Sequence, residues 1–348
     1  MNTTSAFFNI SNKTGNRINN TQEIPFGQGN HLPLVLLGVV SCLIVSANSL
    51  VIALVYKNTQ LRTITNLCLA CLALSDLLSG LVAIPLIFAC NLLPMPDGIA
   101  SCIAMDLVSR FIAISTILHL LIVTFERYVM IIYPMYYYRI VTKNRMAASM
   151  AFIWTFSLAV SLIQLIWISF GSTETANEQY NDLIYSYSCF AVLVVLPLLL
   201  LALAYSRIFL ILRAQLKRIR RQATHIRASR GARQKRGQKR AVTILGSMIL
   251  AFILGWCSYF LSSILLDENL LMHLPPAVNV TLLFLRYSTS LFNPLLYTLF
   301  KEDFRNVLRS YVFKKPPNQL DEVPLSSNVC WSAGFDYREN LLQSYPDC

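Results

Sequence analysis

Seven stretches of this chain are each long enough and apolar enough to cross a lipid bilayer, at residues 31–56, 63–90, 99–125, 146–169, 183–206, 241–266 and 274–300. A span needs about 20 mostly apolar residues. In hydrocarbon the backbone must satisfy its own hydrogen bonds, so each stretch is expected to be a helix. The alternation of a membrane barrel strand appears in none of them. The expected fold class is therefore an all-α membrane protein, a seven-transmembrane helix bundle.

Composition agrees with that reading. The chain is 55% hydrophobic and only 13% charged, about half the charge of a soluble domain. Its net charge of +12 is concentrated: residues 213–240 hold 12 basic and no acidic side chains, and the remaining 17 basic residues match the 17 acidic ones. A nucleic-acid binder is basic over its binding face, whereas one basic block in a greasy chain marks a segment beside a membrane. No nucleic-acid partner is expected.

Basic residues also fix the orientation. Lys57, Arg62, Arg139, Lys143, Arg145, the 213–240 block, Lys301, Arg305, Arg309, Lys314 and Lys315 fall on one side, against Lys13 and Arg17 on the other. The basic side is expected to be cytosolic, which puts the N-terminus outside and the C-terminus inside. Glycosylation sequons at Asn2, Asn9, Asn12 and Asn19 agree, because such acceptors matter only on the lumenal side. No cleavable signal precedes them, so the first span is expected to insert the chain. The domains so read are an outer glycosylated segment (1–30), the bundle (31–300) with a cytosolic basic loop at about 213–240, an amphipathic surface helix (301–313) and a disordered cytosolic tail (314–348). The tail carries Ser326, Ser327, Ser332 and Ser344 as phosphate acceptors.

Polar residues inside a membrane are costly and mark function. Asp76, Asn48, Thr116, Ser290 and Asn293 lie at similar depths in four spans. Their carboxylate, hydroxyl and amide oxygens suit a sodium ion or a proton; the plain alternative is a hydrogen-bonded polar cluster. Glu126-Arg127-Tyr128 closes the third span, Pro197 interrupts the fifth with Tyr205 two turns on, Phe252 and Trp256 share a face of the sixth, and Asn293-Pro294-x-x-Tyr297 breaks the seventh.

These landmarks, with Trp154 in span four, follow the order found in rhodopsin-like (class A) G-protein-coupled receptors, and the chain resembles that family from Asn48 to about Phe313. The resemblance implies a receptor that binds an extracellular ligand within the bundle and activates heterotrimeric G proteins, at the plasma membrane, without enzymatic activity. Glu126, Arg127, Tyr128, Tyr205 and Tyr297 would form the G-protein switch. Trp256 would be the toggle under the ligand, with Ile117, Pro197 and Phe252 as its connector. Lys301 to Arg305 resembles the start of the surface helix, with Phe304 as its anchor in the inner leaflet. Membrane lipids and an arrestin-type protein at the phosphorylated tail are further expected partners. Within the class, segments in span two, after span three and from span five onward resemble adenosine receptors, and span six resembles melanocortin receptors.

The resemblance also permits subtraction. The retinal lysine position of opsins is Tyr287 here, so no retinal is expected and no cofactor beyond a possible sodium ion. The aspartate of amine receptors, eighteen residues before the motif arginine, is Ser109 here. Pocket candidates are Asp106, Ser109, Arg110, Phe260, Ser263, Arg286 and Tyr287. Asp106 and Arg110 are spaced to pair along the helix. Arg286 either pairs with Asp106 across the bundle or, beside Arg110, receives a carboxylate or phosphate; an anionic small molecule or lipid is thus the alternative ligand. Cys102 stands where most relatives form a disulfide to the second outer loop, but that loop has no cysteine. Cys102 then pairs with Cys90 or stays free. No proline follows Cys257, which predicts a weak kink in span six, and Gln238 stands where an acid often clasps the switch arginine, which predicts raised basal signalling. A transporter is the remote alternative, but the two halves share no repeated motif.

Overall fold

The computed structural model describes residues 32–93, 97–167, 176–221, 225–260 and 276–312. The sequons, Ser263 and the tail serines lie outside the described residues, as does the side chain of Gln238. Every regular element among the described residues is helical.

Helix α1 is Leu32–Lys57. Helix α2 runs Ile64–Leu78, widens into a π-turn at Ser79–Ala83 and resumes as Ile84–Leu92. Helix α3 is Asp97–Ile132, and α4 is Lys143–Leu162 with a tighter turn at Ile163–Ile166. Helix α5 runs Ala176–Ser188, a π-turn at Cys189–Val195, and Leu196–Arg221. Helix α6 runs His225–Phe252 with a π-turn at Ile253–Cys257, α7 is Pro276–Phe300, and α8 is Glu302–Val312.

Six of these helices are apolar enough over 18 residues to cross a membrane by composition. At 25 residues α7 is long enough as well, but Arg286, Asn293 and its run of hydroxyl residues dilute its hydropathy. That dilution is the cost of a polar face turned inward. Lipid-facing surface is evident on α1, where Val35 and Val39 are 62% and 52% exposed while Leu37, Ile44 and Val51 are fully buried.

Helix α3 is the axis of the bundle. Two-thirds of its most apolar stretch (67%) is buried, against 22% for α1, and it packs against α2, α4, α5 and α6. Helix α7 closes the ring between α1 and α6.

Three π-turns aim side chains into the interior. In α2 and α5 the wide turn immediately precedes Pro85 and Pro197, whose missing N–H it accommodates. Helix α6 lacks such a proline, and the weak kink expected there is not the whole account: the wide turn at Ile253–Cys257 distorts it anyway. Gly255 at its centre allows a close approach, since a Cβ there would lie 2.3 Å from Thr289 Cγ2 and 3.0 Å from the Leu285 carbonyl.

Three expectations need correction. Glu126-Arg127-Tyr128 does not end its helix, because α3 continues to Ile132; Pro134 stops it, biasing Tyr133 away from helical backbone. The basic block is not a plain loop: α5 extends to Arg221 and α6 begins at His225. Phe304 does not anchor α8 in the leaflet. Its ring is fully buried and lies 5.6 Å from the Tyr297 ring, so it fastens α8 to the bundle.

Candidate functional site

The inward polar residues fall on three floors. On the upper floor, Cys90 and Cys102 form a disulfide that ties the end of α2 to the start of α3. Two turns below Cys102, Arg110 Nη2 pairs with Asp106 Oδ2 at 2.9 Å, the local pair that i,i+4 spacing allows. The Arg110 guanidinium also lies over the Tyr185 ring at 4.6 Å. The other Asp106 oxygen, Oδ1, accepts the Tyr259 hydroxyl at 2.5 Å.

Tyr259 thereby stands between Asp106 and Arg286, and no ion pair joins these two residues. Arg286, only 7% exposed, is stacked between rings instead, 4.8 Å from the Tyr259 centroid and 4.7 Å from Tyr287. Its Nη2 donates to the Tyr287 hydroxyl at 3.2 Å, and that oxygen lies 3.4 Å from Ser109 Oγ. Arg286 Nε, Arg110 Nε and Arg110 Nη1 are buried without hydrogen-bond partners. Trp256 and Phe260 wall the floor, each in an edge contact with Tyr259 at 5.9 and 5.2 Å. Phe252 and Ile117 are buried beneath them in the same core cluster, and Pro197 is buried in α5.

The middle floor is oxygen-rich and wholly buried. Asn293 Nδ2 donates to Asp76 Oδ2 at 2.9 Å, and Asn48 Nδ2 donates to the carbonyls of Ile44 and Ser290 at 2.9 and 3.0 Å. Ser290 Oγ reaches Ser79 Oγ at 3.2 Å. Asp76 Oδ1, Asn48 Oδ1 and Thr116 Oγ1 are left without partners. Unmatched acceptors on a buried carboxylate and amide are what a small hard cation would satisfy. No group of three or more His, Cys, Asp and Glu stands at metal-binding distance among the described residues; the donor set rests on amide and hydroxyl oxygens beside one carboxylate.

On the lower floor, Glu126 is the hub. Its Oε1 accepts from Thr65 Oγ1 at 3.0 Å and from the Tyr137 hydroxyl at 2.7 Å, and its Oε2 lies 3.3 Å from Arg127 Nε. Burial, reinforced by the Glu126 carboxylate, pushes the Tyr137 phenol up from its ordinary value. Arg127 shares a small cavity with Tyr297, Lys301 and the α6 side chains Ile244, Leu245 and Met248, so α6 lies over the arginine as an apolar cap. The hydroxyls of Tyr205 and Tyr297 are buried without partners. Tyr128 makes none of these polar contacts; its ring lies 6.3 Å from that of Tyr133 and packs against the apolar cluster of Ile131, Ile208, Leu212 and Val242 that Tyr205 also touches. Lys301, just past α7, donates to Asn66 Oδ1. Burial, with the Arg127 charge beside it, lowers the Lys301 ammonium to about 8.

Sequence reasoning missed Tyr259, Tyr185, Ser79, Thr65 and Tyr137. Tyr259 was discoverable, three residues after Trp256 and hence on its face. The others meet their partners only through helix packing, and no local spacing announces them.

Known proteins bear on this arrangement. Residues 47–297 match the family model described as "7 transmembrane receptor (rhodopsin family)". The chain is 29% identical to the histamine H2 receptor of Canis lupus familiaris over 89% of this chain and 87% of that protein. It is 31% identical to the Rattus norvegicus histamine H2 receptor, over 78% and 76% respectively. It is 27% identical to trace amine-associated receptor 7e of Rattus norvegicus, over 84% and 85%. With that match across most of its length and the helical bundle described above, the chain belongs to the rhodopsin family of seven-transmembrane receptors.

Proposed function

We propose that this receptor binds an extracellular ligand on the upper floor, between α3, α5, α6 and α7, and activates heterotrimeric G proteins through the inner ends of α3, α5, α6 and α7. The observation that carries the reading is the lower floor: Arg127 is held by Glu126 within α3 and covered by the apolar α6 cap. Swinging α6 outward frees a guanidinium for a partner's carbonyls, and the unpartnered hydroxyls of Tyr205 and Tyr297 are ready acceptors or donors in the opened state. The toggle is Trp256, fully buried directly below the ligand floor. The N-terminus is outside and the tail, with its serines, is in the cytosol of a plasma-membrane protein, where an arrestin-type protein docks on the phosphorylated tail and anionic lipid meets the basic ends of α5 and α6.

Asp76, Asn48, Ser290, Asn293 and Thr116 hold a sodium ion in the resting bundle, which supplies the charge that the buried carboxylate lacks. Rhodopsin-family receptors are in general not enzymes, and this one acts by exchange on its partner.

The names of the histamine and trace amine relatives suggest an amine ligand. Against that, the position where amine receptors carry their aspartate is Ser109, and both oxygens of Asp106 are committed, to Arg110 and Tyr259.

The test is nucleotide exchange on added heterotrimeric G protein with the full chain in lipid nanodiscs. Receptor accelerates exchange, and Arg127→Ala returns it to the receptor-free baseline. Equal exchange with and without wild-type receptor, across a broad panel of G proteins and candidate ligands, rejects the reading.

A further inference from the structure

We infer that Arg286 is the anchor for a small organic monoanion, a carboxylate on an apolar or aromatic body. This deepens the receptor reading, on which its signalling consequence rests, although the binding itself does not depend on it.

Two guanidiniums are buried on the upper floor, Arg110 at 2% and Arg286 at 7% exposure. Asp106 serves Arg110 and is then capped by Tyr259. Asp182 is near enough to act on Arg110 electrostatically, but its Oδ1 is held by Trp167 Nε1 at 2.6 Å and Gln164 Nε2 at 3.3 Å. Among the described residues, Arg286 therefore has no carboxylate of its own. An arginine stays charged at every accessible pH. A buried charge without a counter-ion is strongly unfavourable, and the two ring contacts offset only part of that.

Geometry then sets the class. One unneutralised guanidinium calls for one negative charge, so a monoanion fits better than a phosphate monoester, which carries more. Arg286 Nε is a free donor, and beside it stands a hydroxyl pair, Tyr287 and Ser109, 3.4 Å apart. A planar carboxylate can place one oxygen on Nε and the other on the Tyr287 hydroxyl, the two-point recognition that suits a guanidinium fork. The rings of Trp256, Tyr259 and Phe260, packed edge to face beside Arg286, would flank the apolar body of such a molecule. An ammonium seated in the same place would face two guanidiniums with no uncommitted carboxylate beside it among the described residues.

The experiment uses the full chain in nanodiscs and thermal-melting titrations with matched probes: phenylacetate against phenethylamine, indole-3-acetate against tryptamine, and hexanoate against hexylamine, with the corresponding amides. The carboxylates should stabilise the receptor saturably, and the amines and amides should not. Arg286→Gln should weaken the carboxylate midpoint by about 10- to 100-fold, the scale of a lost charge-assisted hydrogen bond. Should Arg286→Gln fail to fold, Tyr287→Phe should still weaken it several-fold, and Arg286→Lys should fall between wild type and Gln. Stabilisation by the amines, by none of the carboxylates, or by carboxylates equally in wild type and both Arg286 variants overturns the inference. Carboxylate binding without any nucleotide exchange would leave this site standing and reject the receptor reading; exchange driven by amines alone would do the reverse.

Discussion

Asp76 has one oxygen on Asn293 and the other free, in a pocket with no exposure to solvent. If sodium satisfies that oxygen, replacing sodium by equimolar N-methyl-D-glucamine should lower the melting temperature of the wild-type receptor by a few degrees, roughly the effect of 1 kcal/mol. In Asp76→Asn the two salts should give the same melting curve, because the carboxylate charge that favours the ion is gone. A sodium effect that survives the substitution would remove the ion from this pocket. At the cytosolic edge, Lys301 makes a pH prediction. Its ammonium is lowered from the usual 10.5 to about 8. Between those values the unfolded chain holds the proton and the folded one does not, so stability attributable to this group rises with pH. Relative to Lys301→Met, wild type should gain as pH is raised from about 8 to 10, by up to about 3 kcal/mol in the limit. Thermal melts of both proteins across that range check it, and parallel curves would show that Lys301 titrates normally. Asp76 was readable from the sequence, since intramembrane charge is scarce, and Arg127 from its place in the ordered landmarks that carry the family resemblance. Lys301 was readable only as one more cytosolic cation; its burial against Asn66 is a product of where α8 starts.

The helices carry their own instructions and their own exceptions. Apolar length alone places α1 to α6, and the two prolines following wide turns mark where α2 and α5 bend. The bend in α6 has no such marker. It depends on Gly255 lying against α7, where an added methyl would meet Thr289 Cγ2 at 2.3 Å and the Leu285 backbone at 3.0 Å. Gly255→Ala should therefore destabilise by about 1–3 kcal/mol, the usual cost of overpacking a tight contact. Gly237→Ala, also on α6 but with nothing within 4 Å of the new methyl, should be neutral or stabilise by up to about 1 kcal/mol through helix propensity. Melting temperatures of the two variants give the comparison, and equal effects would mean that the α6–α7 contact is slack. The same tertiary control appears at α3, which runs past Arg127 to Ile132. Its last turn is the apolar run Val129-Met130-Ile131-Ile132, and Ile131 packs with Ile208 and Leu212 of α5 and Val242 of α6, so the switch sits inside the helix rather than at its end.

For the molecule as a whole, the outer end is tied by a short loop. Cys90 and Cys102 are separated by 12 residues, and closing a loop of this size stabilises by roughly 3 kcal/mol through lost freedom of the unfolded chain. The double variant Cys90→Ser/Cys102→Ser should melt several degrees lower, and a reductant should lower the wild type but not the variant. Identical melting with and without reductant would show that the bond contributes nothing to the fold. The sequence by itself determined the class of molecule. Hydrophobic length, the one-sided basic residues and an ordered landmark in each helix are local or additive signals, and a bilayer converts them into spans with few alternatives. Which groups meet was decided only by the tertiary structure. Tyr259 slips between Asp106 and Arg286, Phe304 turns into the bundle, and Thr65 and Tyr137 converge on Glu126. These contacts join residues as far apart in sequence as Asp106 and Tyr259, and they depend on the rotation and depth of neighbouring helices. Those are set by close packing in three dimensions, to which no spacing along one chain gives access.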